Sequence, residues 1–201
     1  MVKIIRPKPA ATLIITKIKN KKLHILMGKR PDEARFAPGM WVFPGGKLDK
    51  NDLSTLKKYK INNRMIKNLK LLRAESRLGE ALIHTAIRET QEETNLKLLS
   101  NDIRDMWVLG RAITPLSRHM RFDTKFFVAP SECFTGRIKG NGELDKLEYV
   151  EIKKGLELPM FDITEFILQE IDRRINKGNE INSNPVFWRY RQEHRLITEI
   201  K

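Results

Sequence analysis

The chain has 201 residues, 40% of them apolar and 32% charged, enough for one core that removes roughly 70% of the unfolded surface from water. Its formal net charge of +14 predicts attraction to polyanions such as phosphates or nucleic acid without choosing a fold. The single cysteine, Cys133, excludes an internal disulfide framework and a four-cysteine zinc site, and no apolar run approaches the ~18 residues of a membrane span, so a reducing, cytoplasmic setting is expected.

In chain order, Ala11 to Ile18 and Lys22 to Gly28 are β-rich runs, and the polar Lys19-Asn20-Lys21 between them predicts a hairpin. Met40 to Phe43 is a short apolar run stopped by Pro44-Gly45-Gly46, which predicts a special loop after a strand. Residues 81 to 94 lack glycine and proline and place Leu82, Ile83, Ala86 and Ile87 on one face; they predict a helix, with Asn95 as a left-handed cap. Strands are expected at Met106 to Ile113, Phe122 to Ala129 and Leu147 to Ile152, a helix from Ile163 to Asn176, and a terminal helix over Pro185 to Ile200. Without regular βα alternation or internal repeats, this order favours a mixed-sheet α/β sandwich over a doubly wound parallel sheet.

The chemistry is concentrated in Arg88-Glu89-Thr90-Gln91-Glu92-Glu93-Thr94-Asn95-Leu96. Glu89, Glu92 and Glu93 stand at i, i+3 and i+4, which puts three carboxylates on one helical face. Like charges so placed repel, and a cation relieves them; carboxylate oxygens without Cys or His select hard ions such as Mg²⁺ or Mn²⁺. Arg88, four residues before Glu92, can fix that carboxylate in one rotamer. His24, His84, His119 and His194 show no metal-ligand spacing.

Pro44-Gly45-Gly46, Glu80, Arg88-Glu89 and Glu92-Glu93 together resemble the Nudix box, in which a glycine, five residues, a glutamate and seven residues precede Arg-Glu-aliphatic-x-Glu-Glu-x-Gly-aliphatic. Residues 81 to 87 supply the seven; Thr90 replaces the aliphatic residue and Asn95 the closing glycine. Thirty-three residues separate Gly46 from Glu80, so an insertion, 47–79, splits the box read this way. The segment from Met40 to Asp52, with Ile113-Thr114-Pro115 and the run from Arg121 to Phe127, looks like the branch containing the acyl-CoA diphosphatases, and the resemblance spans residues 23 to 130.

The resemblance implies an α/β/α sandwich with a mixed β-sheet and a helical insertion, forming one domain over 1–201, and a Mg²⁺- or Mn²⁺-dependent pyrophosphohydrolase. Residue by residue it implies that Glu89, Glu92, Glu93 and the carbonyl of Gly45 are metal ligands, with Glu89, Arg88 and Glu93 catalytic. Glu80 lies about half a turn from Glu89 on an ideal helix. The general base is open between Glu89, Glu143 and Glu148. Arg118 and Arg121 are the substrate-phosphate candidates. The expected substrate is CoA or an acyl-CoA; the alternatives are ADP-ribose, a dinucleotide or capped RNA, and a catalytically silent nucleotide-binding domain. The expected partner is a small nucleotide-diphosphate molecule, with nucleic acid a lesser expectation and a homodimer allowed. The insertion carries ten Lys/Arg against three Asp/Glu. Its Leu53, Leu56, Ile66, Leu69 and Leu72 suggest two short helices with a basic outer face.

Overall fold

Strands β1 (Lys8–Lys19) and β2 (Lys22–Lys29) form the expected hairpin. Asn20 and Lys21, both at positive φ (51° and 60°), make the tight turn whose twist suits paired strands. The computed structural model describes residues 5–55, 58–177, 183–191 and 194–199. After β3 (Trp41–Val42), Gly45–Lys47 form a short strand, β4, paired antiparallel with β1. The glycines expected to form a loop are therefore held in a sheet, where an added Cβ at Gly45 would lie 2.6 Å from the Ala11 carbonyl oxygen.

Of the insertion's two expected helices, one forms: α1 (Asn63–Leu71), capped by Asn62, whose side chain accepts a hydrogen bond from the Met65 amide. The other is a single 3₁₀ turn over Asn51–Leu53, and Leu56 lies outside the described residues. Met65, Leu69 and Leu72 fall on one face of α1 and are buried, while Ile66 is exposed. Next comes α2 (Ser76–Thr94), which starts five residues before the glycine-free run. Gly79 is tolerated inside it because a Cβ there would press on the Ala74 carbonyl at the corner with α1, so a close approach outweighs the usual helix penalty of glycine. Asn95 closes α2 in the left-handed conformation at φ 61°, as expected.

The chain continues through β5 (Lys97–Leu98), β6 (Trp107–Ile113), β7 (Phe122–Pro130), β8 (Phe134–Thr135) and β9 (Asp145–Glu151). It then forms α3 (Ile152–Gly155), α4 (Asp162–Asp172) and a π-helical turn over Arg173–Lys177. The terminal helix expected over Pro185 to Ile200 is instead a hairpin, β10 (Val186–Arg191) and β11 (His194–Glu199). The aromatic, β-favouring run Val186-Phe187-Trp188 finds a partner in β6, against which β10 lies parallel, and such pairing overrides weak local preference.

The main sheet runs β11-β10-β6-β7-β1-β2-β3, with β4 on β1 and β9 on β2. It is mixed: β1–β7 and β10–β6 are parallel and the other pairs antiparallel. Central β1 is buried on both faces, and its alternation sorts two cores. Leu13 and Ile15 meet Leu82, Ile83 and Ala86 of α2, and Ile14 belongs to the cluster with Ile167, Leu168 and Ile171 of α4. Each such aliphatic side chain contributes about 1.5–3 kcal/mol by leaving water. The result is the expected helix–sheet–helix sandwich, and α2 is clamped so that its last two turns meet β4.

Candidate active site

Gly45 donates its amide hydrogen to Glu93 Oε2 at 2.9 Å. Gly46 lies so close to the Glu89 carboxylate that a Cβ would overlap it, so only glycine lets β4 and α2 approach. Glu89, Glu92, Glu93, Gly45 and Gly46 line one open cavity of about 530 Å³. Glu143 lines it too, whereas Glu148 is an exposed residue of β9, paired with Met27, outside that lining. The structure thus gathers the three box glutamates with one of the two later acids.

Electrostatically the cavity is unbalanced. Burial pushes the Glu93 carboxyl up to about 8, helped by repulsion from Glu89 and Glu143 and opposed by the Gly45 amide and Arg30. Burial also raises Glu89, opposed by Arg88 and assisted by Glu92 and Glu143. Arg88 Nη1 lies 2.9 Å from Glu89 Oε1 and 3.0 Å from Glu92 Oε2, so it orients both, as its spacing predicts for Glu92. Among the described residues, no three His, Cys, Asp or Glu side chains gather into a ready-made metal cage; Arg88 draws two of these carboxylates and Gly45 the third. The donor chemistry nevertheless fits a hard divalent cation, because all the donors are oxygens and burial beside other carboxylates pushes Glu93 up, a strain that positive charge relieves.

Asp52 is the residue that sequence reasoning missed. It is 3% exposed and grips Arg88 in a fork, Nε to Oδ1 and Nη2 to Oδ2 at 3.0 Å each. The Thr85 hydroxyl (2.9 Å) and the Asp49 amide (3.0 Å) also donate to it. Burial alone would raise its pKa, but these bonds hold it below the usual carboxylate range. Five residues, 47–51, separate Gly46 from Asp52, the interval the box asks for, so with Asp52 as the box acid the extra residues fall in the interval before Arg88 rather than in the one after the glycine. Glu80 lies with Lys58, Tyr59, Ile61 and His84 around a separate small cleft, because α2 begins before it and turns it away from Glu89.

Arg30, also unforeseen, lines the acidic cavity, and its buried Nε has no hydrogen-bond partner. No sequence signal marked it, since its value lies in burial beside Glu93. Arg121, expected near a phosphate, is 9% exposed and donates to the backbone carbonyls of Thr114 and Ile5. Arg118 is exposed at the wall of a second, apolar cavity of about 310 Å³, with Phe161, Phe126 and Trp188. Phe36 and Thr124 line both cavities, and Phe36 packs on Phe161 with ring centroids 5.8 Å apart.

The profile of the NUDIX domain matches residues 6–166. Among solved structures, a NUDIX hydrolase from Alicyclobacillus acidocaldarius is 22% identical at a TM-score of 0.74, covering 90% of this chain and 98% of its own. The NUDIX domain of Shewanella oneidensis NrtR, complexed with ADP ribose, is 12% identical at a TM-score of 0.56 (86% and 90% covered). An Ap4A hydrolase from C. elegans is 16% identical at a TM-score of 0.52 (84% and 97% covered). At these identities the likeness is one of fold. No curated protein matches the chain significantly.

Proposed function

From the premise that the chain belongs to the NUDIX family and is a hydrolase of pyrophosphate anhydrides, we propose that Glu89, Glu92, Glu93 and the Gly45 carbonyl bind Mg²⁺ or Mn²⁺ beside the diphosphate of a nucleotide derivative. The observation that carries this reading is the excess of buried carboxylate: Glu93 is driven up to about 8 while it lines an open cavity with Glu89, Glu92 and Glu143. A divalent cation, when bound, polarises the phosphoryl oxygens and spreads the charge that develops on them.

The remaining work belongs to the chain. Arg88, fixed by Asp52, keeps Glu89 and Glu92 in place. Arg30, which lines the cavity, sets its guanidinium charge beside the substrate phosphates. Glu89 and Glu92 are both tied to Arg88 and Glu93 is buried, whereas Glu143 lines the cavity exposed to water, so Glu143 is the base that takes the proton of the attacking water. Arg118 serves the organic half of the substrate, and Arg121 acts through the backbone it braces.

For the substrate, CoA or an acyl-CoA is the first reading. It rests on the resemblance over residues 23 to 130 and on an apolar cavity adjoining the acidic one, an arrangement that accepts a diphosphate joined to a bulky organic group. The aromatic rim of Phe36 and Phe161 favours a second reading, ADP-ribose or a dinucleotide with its base stacked there; the ADP ribose of the Shewanella domain and the name of the C. elegans enzyme are compatible with it. Purified protein with Mg²⁺ should be offered CoA esters, ADP-ribose, dinucleoside polyphosphates and capped RNA, with products identified by mass. Hydrolysis of CoA esters to adenosine 3′,5′-bisphosphate supports the first reading. Turnover of ADP-ribose or dinucleotides alone selects the second, and no phosphorus-containing product from any of them rejects the assignment.

A further inference from the structure

Most of the insertion's charge falls in one stretch of sequence. Between Leu53 and Ala74 the sequence holds seven Lys/Arg and no Asp or Glu. Lys60, Arg64, Lys67, Lys70 and Arg73, on or beside α1, are all exposed, while Met65, Leu69 and Leu72 bind the helix to the core. Arg104 extends the same face, because Asn62 at the start of α1 donates to the Arg104 carbonyl at 2.8 Å. Acids beside this patch include Asp102, bound to Arg104 at 2.8 Å, exposed Asp105, which lines the adjoining groove, and exposed Glu75, two residues past Arg73. Positive charge therefore predominates across the patch.

This face is not a lid on the acidic cavity, whose lining includes no residue of α1. Beside α1 runs a groove of about 430 Å³, largely apolar, whose charged lining residues are Arg64, Arg104 and Asp105 and whose wall includes Trp107. We propose that the basic face of α1 and this groove dock a single-stranded nucleic acid, with the phosphate backbone along Arg64, Lys67, Lys70 and Arg73 and an unpaired nucleotide entering the groove. Charge complementarity names a polyanion. The groove, where Ile18, Leu23, Val108 and Pro130 stand beside the Trp107 indole, suits the apolar face of an unstacked base that a duplex does not offer. A membrane surface fits less well, since interfacial helices need a free apolar face and α1 has already buried its own, leaving Ile66 exposed at 53%.

The test uses the full chain, a short fluorescent oligoribonucleotide and a salt series. Each phosphate contact contributes about −0.7 to the slope of log affinity against log salt for a single strand. The double variant Lys67→Glu/Lys70→Glu should flatten the slope by about 1.4 and weaken binding on the order of tenfold or more. Its hydrolysis of a small nucleotide and its melting temperature should be unchanged. Lys153→Glu/Lys154→Glu, with the same change of net charge at exposed residues of α3, should bind RNA like the parent. Equal weakening by both pairs would reduce the effect to net charge and overturn the proposal. So would unchanged RNA binding by the α1 variant, or binding to anionic vesicles without binding to RNA. Because hydrolysis is read separately, failure of this docking leaves the pyrophosphohydrolase assignment standing.

Discussion

Two sets of buried carboxylates share this fold and titrate in opposite directions. Desolvation is the largest influence on Asp123 and Glu170, yet both lie below the usual range. Asp123 takes Arg111 twice at 2.7 Å and Lys125 at 2.9 Å, and Glu170 takes Arg173 and Arg174. Glu89 and Glu93 are also desolvated, but one arginine is shared among Asp52, Glu89 and Glu92, and both titrate upward. Burial alone does not separate the two sets; incomplete compensation does. The closed clusters fasten elements together. Arg174, wholly buried, bonds Glu170 at 2.6 Å and the Asn184 carbonyl at 2.9 Å, joining α4 to the approach to β10. The open cluster is poised to accept charge.

The contrast can be broken most severely at Glu170. Glu170→Gln leaves Arg174 as a buried charge without its counter-ion, so chemical denaturation should show a loss of about 3–5 kcal/mol, while kcat of the folded fraction stays at the parent value. Glu93→Gln should do the reverse. Steady-state assays should show kcat lower by roughly a hundred- to a thousandfold, with the metal-free protein as stable as the parent or more so.

A pH series on metal-free protein sharpens the same contrast. Glu93 is raised from 4.5 to about 8 in the folded protein, so the folded state holds a proton that the unfolded chain releases. The associated stability is complete below about 4.5 and is lost as pH rises through about 8. Melting temperatures should decline over that window, and Glu93→Gln should flatten the decline. Asp52→Asn should lower kcat by about ten- to a hundredfold with KM little changed, because Arg88 loses the partner that orients it. The smallest effect is expected at Glu80, where Glu80→Gln should stay within about 0.5 kcal/mol in stability and leave turnover unaltered.

Local periodicity made much of this fold and half of its candidate site legible. The i, i+3, i+4 spacing of Glu89, Glu92 and Glu93 and the run of apolar residues in α2 are properties of one helix, and the sheet strands carry their own alternation. Asp52 is hidden in the sequence because Glu80 satisfies the seven-residue interval to Arg88, while the five-residue interval from Gly46 to Asp52 becomes meaningful only when the chain folds back and Arg88 reaches it. Arg30 was invisible because an unpartnered guanidinium nitrogen is a property of packing. The β10–β11 hairpin was missed because its stabilising partner, β6, lies more than seventy residues earlier in the chain, and the start of α2 because Gly79 reads as a breaker until its contact with Ala74 is known.

The central claim is that the open cluster captures a divalent cation in exchange for protons. Manganese titrated calorimetrically into metal-free protein at pH 7, in buffers of differing ionisation enthalpy, tests it directly. With Glu93 near 8, binding should release roughly one proton per protein, and Glu93→Gln should abolish that release and weaken binding. Manganese that fails to bind, or that binds the parent and Glu93→Gln equally with no proton released, would contradict the account.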